Sequence, residues 1–255
     1  MKNQKIRNAI IIGAICTAVI VPTTIKFINK QPVEDRIIGK ELDSNSSVSS
    51  EDIKEDEIIR KENNEEESIN NGNETYELTE DGIIVPEIAK ELIKETSDKI
   101  IRAISVKDTE TISEFVHPAK GVRFTPYTYV SLENDVVFKK EEIKNFFKDK
   151  DIYIWGYYDG IGDEIKLTPS EYYDKFIYSE DFVNAEKVGY NEVLSFGNMM
   201  ENQFEVYENP IVVEYYFSGF NPEYEGMDWR SLRLVFEQYE GGWKLVGIIN
   251  NQWTI

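Results

Sequence analysis

The order of hydropathy patterns along this chain predicts an α+β domain held behind an N-terminal membrane segment. Three observations carry that expectation. Residues 9–21 (AIIIGAICTAVIV) are apolar and uncharged, behind Lys2, Lys5 and Arg7. Residues 31–82 hold 17 acidic against 5 basic side chains, with Tyr76 as their only aromatic residue. Residues 83–255 hold 30 of the chain's 32 aromatic residues, with helical spacings first and strand-like runs last, an order that belongs to α+β domains.

The first 30 residues read as an export signal or anchor, because a basic flank before a short apolar run is the mark of such segments. The run is 13 residues long and reaches 17 at Ile25, against about 17–25 for a spanning helix. Residues 9–25 are therefore expected to form a single membrane helix, with the basic flank in the cytoplasm and the C-terminal domain outside. A cleaved signal and lipidation of Cys16 are the alternatives, giving a secreted or lipid-anchored protein. Cys16 is the only cysteine, so no intrachain disulfide and no thiolate metal site can form.

Residues 31–82 read as a disordered acidic linker. SNSSVSS and ENNEEESINNGN cannot bury enough apolar surface to offset the entropy of ordering. An acidic spacer of this kind also suits cations or basic wall polymers.

Residues 83–255 then form one globular domain. Ala89, Leu92, Ile93, Ile100, Ile101 and Ile104 share one helical face, with Pro86 at a first-turn position. Asp108 is placed to cap a second helix carrying Ile112, Phe115 and Val116, which Pro118 ends at His117. A short helix is expected over 140–147. Another opens at Thr168-Pro169-Ser170-Glu171, a capping box with proline in first place, and carries Tyr172, Tyr173, Phe176 and Ile177. Strands are expected over 122–130, 151–158 and 211–217. The last two, 230–237 and 243–249, flank Tyr239-Glu240-Gly241-Gly242 as a hairpin. Both faces of that hairpin are partly apolar, so one side is expected to be covered and the other to line something.

The terminal pattern SLRLVFEQYEGGWKLVGI resembles the last hairpin of the cone-shaped fold named after nuclear transport factor two, also called cystatin-like. The segments VHPAKGVRFTPYTYV, EYYDKF, GMDWRSLRLVFE and WKLVGIINNQWTI, over most of residues 95–255, are similar to an uncharacterised family of secreted or membrane-anchored proteins of Gram-positive bacteria. The resemblance implies N-terminal helices packed into a curved antiparallel sheet, and a place at the cell surface. It implies no catalytic residue, and the fold serves enzymes, binding modules and assembly domains alike.

Five residues are candidates for ligand binding. His117, the only histidine, suits a general base in an open pocket or a helix end held by local bonds. Arg123 suits a bidentate grip on a ligand carboxylate or a structural ion pair. Glu214, mid-strand, is a candidate pocket carboxylate or a cross-strand partner of Arg230 or Arg233. Trp229 and Arg230, in GMDWR, are ligand contacts or sheet packing. Tyr153, Trp155, Tyr157 and Tyr158 suggest a sugar-stacking platform, though alternating aromatics equally make core. Asp159 to Glu164 lacks the ligand ladder of a calcium loop and reads as a turn.

The chain has no G-x-S-x-G, no P-loop and no G-x-G-x-x-G before a helix. No catalytic residue, metal site or cofactor is expected from it. Residues 83–255 carry 31 acidic against 18 basic side chains, which disfavours nucleic acid as a partner. The expected function is non-enzymatic binding of a small ligand, peptide or protein partner near the membrane or cell wall. The alternatives are an assembly or dimerisation module, or a hydrolase or isomerase using His117 or a buried acid.

Overall fold

The computed structural model describes residues 68–71 and 74–254, with side chains from Tyr76 onward. The expected membrane segment and most of the acidic linker lie outside the described residues. The linker's last stretch forms a strand pair, β1 (Ser68–Asn71) and β2 (Glu74–Glu77). The one aromatic residue of that stretch explains its docking: Tyr76 is buried in the main core.

The first helix, α1 (Pro86–Ser105), starts at its proline and buries Ala89, Ile93, Ile100, Ile101 and Ile104. Asp108 caps α2 (Thr109–Phe115) by accepting from the Thr111 amide at 3.1 Å. After the turn at His117 come β3 (Val122–Thr125), β4 (Val136–Phe138) and α3 (Lys140–Asn145). Pro126 lacks a ladder donor and stops β3 well short of residue 130. β5 (Tyr153–Tyr157) and β6 (Glu164–Leu167) form a separate hairpin, with residues 158–163 as its connection. Thr168 and Glu171 make the expected capping box at α4 (Pro169–Tyr172), which continues as a π-helical turn over Tyr173–Ile177. Then follow β7 (Lys187–Tyr190), the short α5 (Gln203–Val206), β8 (Ile211–Phe217), β9 (Arg230–Tyr239) and β10 (Gly242–Gln252).

The architecture is α+β, around a mixed six-stranded sheet in the order β4-β3-β10-β9-β8-β7. The sheet is not purely antiparallel. β3 runs parallel to β10, pairing Arg123 with Gly247 and Thr125 with Ile249. Such a pair needs a long crossover, and everything between the two strands supplies it. The β9–β10 hairpin turns at Glu240 and Gly241, whose φ values of 48° and 76° are those of a type I′ turn.

The two faces of the sheet are covered differently. On the helix face, Val122, Phe124, Val213, Tyr215, Leu232, Leu234, Phe236, Leu245 and Ile248 join the core with the helices. Trp155 and Tyr172 stack there at 3.8 Å between ring centroids, among Phe124, Phe138, Phe146 and Phe176. The residual cavity under these helices is about 30 Å³, walled by Phe124, Phe146 and Tyr173 among others, room for little more than a water molecule. The hollow between helices and sheet is thus filled with aromatic rings.

The opposite face is covered by loops. Val130, Tyr207, Val212, Val235, Val246 and Ile249 form a second, smaller cluster there. A bulge between Leu245 and Gly247 shifts the β10 register and turns Val246 and Gly247 both toward this loop face.

A candidate ligand cleft on the loop face

Glu214 and Arg233 stand directly opposite each other on β8 and β9, and both are fully buried on the loop face. The Glu214 carboxylate accepts from the Leu194 amide at 2.7 Å and from the hydroxyls of Ser195 and Ser231. Arg233 Nε lies 3.2 Å from Glu214 Oε1, an ion pair by distance whose N–H is not directed along a hydrogen bond. The guanidinium's other nitrogens make a bidentate pair with Glu201, at 2.7 and 2.9 Å. They also reach Thr128 Oγ1 and Ser195 Oγ, both at 3.0 Å. Burial works against the Arg233 charge, yet Glu214 and Glu201 hold its pKa above the ordinary value. The network ties the 194–203 loop to the sheet, and Glu214 serves there as a structural counter-ion.

His117 is also buried. Its Nδ1 accepts from the amides of Ala119 and Lys120 at 3.2 and 3.0 Å, which puts the neutral ring's proton on Nε2. Burial lowers its pKa, and Glu237 opposes that effect. His117 therefore shapes the 117–121 turn. Gly121 completes the turn at φ 79°, where a Cβ would come within 2.7 Å of the Phe138 carbonyl.

That turn forms one wall of an open cleft of about 390 Å³ on the loop face. Three cations line it: Lys120 from the turn, Arg123 from β3, and Lys139 just after β4. Its apolar lining includes Val137, Val206, Val246 and Tyr207. Its acid is Glu237, buried, which accepts from the Glu208 amide at 2.8 Å and pairs with Lys120. Arg123 Nη1 donates to the carbonyls of Ser131 (3.0 Å), Leu132 (3.4 Å) and Asp135 (3.4 Å). Lys139 donates to the Ala119 carbonyl. The Tyr207 hydroxyl is buried with no hydrogen-bond partner among the described residues, and burial pushes its pKa up.

Trp229 and Arg230 lie away from this cleft. Trp229 is buried beside Tyr216, 6.3 Å between centroids, and the Arg230 guanidinium donates to the carbonyls of Asp228 and Trp229. Of the five residues singled out by sequence, only Arg123 lines the cleft, while His117 is buried behind it and holds the turn that forms its wall. Glu214 goes to the buried network, and Trp229 and Arg230 to packing at the β9 end. Lys120, Lys139, Tyr207 and Glu237 are the cleft residues that sequence reasoning missed. The legible signal was Lys120, three residues before Arg123 in a His-Pro turn. Among the described residues, no group of three or more metal-ligating side chains is placed to hold an ion, and no helix is long and apolar enough to cross a membrane.

Fold and cleft together define an α+β protein with a mixed sheet and a cation-lined cleft on its loop face. No family model matches the chain, and neither does any curated protein. Among solved structures, one described as a calcium/calmodulin dependent protein kinase II association domain from Xanthomonas campestris aligns over 65% of this chain and 85% of its own. The identity is 12% and the TM-score 0.26.

Proposed function

We propose that this chain is a non-enzymatic binding module, anchored through residues 9–25 and displayed outside a cytoplasmic membrane, that holds a small ligand or peptide in its loop-face cleft. We read the domain as a variant of the cone-shaped, nuclear-transport-factor-two-like architecture, with α1 and α2 packed on the sheet and β9–β10 as its terminal hairpin. The observation that carries the reading is the contrast in free volume: about 30 Å³ in the hollow under the helices, about 390 Å³ in the cleft behind the sheet. The second value falls in the range of small-molecule sites. His117 Nδ1 is held by two backbone amides, which favours binding over general-base chemistry. The location rests on the basic flank and the apolar run.

Two measurements test the proposal. A reporter fused behind Ile255 is expected to be active only outside the cytoplasm, and activity confined to the cytosol would refute the location. A thermal-shift screen of the full chain against wall fragments, peptides and small acids is expected to yield stabilisers that Lys139→Gln, in the cleft wall, weakens. A screen whose stabilisers all ignore that substitution would refute the site.

A further inference from the structure

We propose that the loop-face cleft takes a small monoanionic ligand with an apolar body, its carboxylate held between Arg123 and Lys139. The inference rests on the binding-module reading above and gives it a ligand chemistry. Lys120 is compensated, by Glu237 and, at 3.7 Å, by Glu208. Arg123 and Lys139 make no ion pair among the described residues, because their bonds go to neutral backbone carbonyls. Asp135, on the same loop, commits its Oδ2 to the Thr125 hydroxyl at 2.6 Å and the Ser131 amide at 3.0 Å. Arg123 Nε and Nη2 are left for solvent or a ligand.

Two cations without an ion pair in one cleft, Arg123 meeting the Asp135 charge only through space, stand out in a domain with 31 acidic against 18 basic residues. A guanidinium with two free donors suits a carboxylate geometrically. The valines at 137, 206 and 246, Leu132 and the Tyr207 ring give the cleft an apolar wall, and its Glu237 carboxylate, paired with Lys120, repels further negative charge, which suits a monoanion with a hydrocarbon body better than a polyanion. His117 acts through the 117–121 turn as a positioning residue, since its amide contacts fix the backbone whose Ala119 carbonyl anchors Lys139.

The test uses the full chain in detergent, titrated by calorimetry and by amide NMR with isovalerate, isovaleramide and inorganic phosphate. Isovalerate is expected to bind and to shift cleft amides, with isovaleramide about tenfold weaker or worse. Arg123→Gln and Lys139→Gln should each weaken isovalerate about tenfold, Arg123→Lys should keep part of the affinity, and Lys166→Gln on β6 should change nothing. Should Arg123→Gln fail to fold, Lys139→Gln decides alone, because that side chain is exposed. Equal binding of the amide at the cleft overturns the carboxylate chemistry and leaves the binding module standing. No cleft shifts from either probe overturns both. Binding of isovalerate that ignores both substitutions, or displacement of it by phosphate at equal concentration, overturns the assignment.

Discussion

Replacing Arg233 by methionine tests whether the buried network locks the loop face. Methionine keeps most of the apolar length, so the packing loss is small and the change is chiefly electrostatic. Arg233 and Glu214 have fully buried side chains. Without the guanidinium, the Glu214 carboxylate keeps three neutral donors, from Leu194, Ser195 and Ser231, but no counter-charge. Glu201 loses both arms of its bidentate pair. Breaking a buried pair from one side costs about 3–5 kcal/mol, and a domain of this size loses about 2–4 °C of melting temperature per kcal/mol. Glu214→Gln leaves Arg233 its Glu201 partner and should cost less, about 1–3 kcal/mol. The double variant should cost at least about 1 kcal/mol less than the sum of the singles, because each removes the other's stranded partner. Urea unfolding of the full chain, followed by tryptophan fluorescence, measures all three. A loss below about 1 kcal/mol for Arg233→Met, or strict additivity in the cycle, would show that the network is not a lock. If Arg233→Met does not fold, Glu201→Gln, at the network's partly exposed edge, should still destabilise measurably.

Three further outcomes are expected. Burial raises the Asp135 pKa to about 6. The folded chain therefore holds that proton more tightly than the unfolded one, so stability from this group is fully present below about pH 4 and is lost, about 3 kcal/mol in all, as pH rises from there through 6. Asp135→Asn keeps one oxygen for Thr125 and Ser131 and should flatten that slope, so an unchanged slope in urea titrations across pH would discard the argument. A Cβ on Gly247 would lie 2.5 Å from the Tyr207 hydroxyl oxygen, so Gly247→Ala should lose about 1–3 kcal/mol. Tyr207→Phe, which removes an orphaned hydroxyl, should be neutral or stabilising and should rescue part of that loss, and thermal melts that show no rescue would place the strain elsewhere. Phe146→Ala should widen the cavity under the helices, cost about 3–5 kcal/mol and acquire stabilisation by benzene, whereas an unchanged melting temperature would mean the hollow is not filled as described.

Where local chemistry decides structure, the elements were legible. Pro86, the Asp108 cap and the Thr168–Glu171 box set helix starts at the expected residues, and the Glu240-Gly241 turn set the terminal hairpin. The short strands β4, β6 and β7 were not legible, because three or four residues carry no usable period and their pairing is tertiary. The parallel β3–β10 pairing had no local signal at all, since it joins residues more than a hundred positions apart. For the site, Arg123 and Glu214 were visible as charges in apolar runs, but their fates differ for a reason no pattern shows. Glu214 is met across the ladder by Arg233, while β10 sets glycine opposite Arg123. Lys139, Tyr207 and Glu237 come from three separate elements that only the folded sheet gathers.

The glycine opposite Arg123 also sets how this face is covered. At the bulge, β10 turns Val246 and Gly247 to the same side, so one position on the sheet has no side chain where its neighbours have one. Tyr207 fills the gap, with its hydroxyl against the Gly247 backbone. Toward the Glu214 end, polar partners close the face completely, since Arg233 draws in Glu201, Ser195 and Thr128. Toward the Arg123 end, Arg123 and Lys139 bond only to carbonyls, and the cleft stays open beside them among the described residues. A face that commits Glu214 and Glu201 to Arg233 at one end has only Glu237 and Glu208 near the other, both beside Lys120, and in a chain of net charge −20 the remaining Arg123 and Lys139 are what would attract the proposed anion.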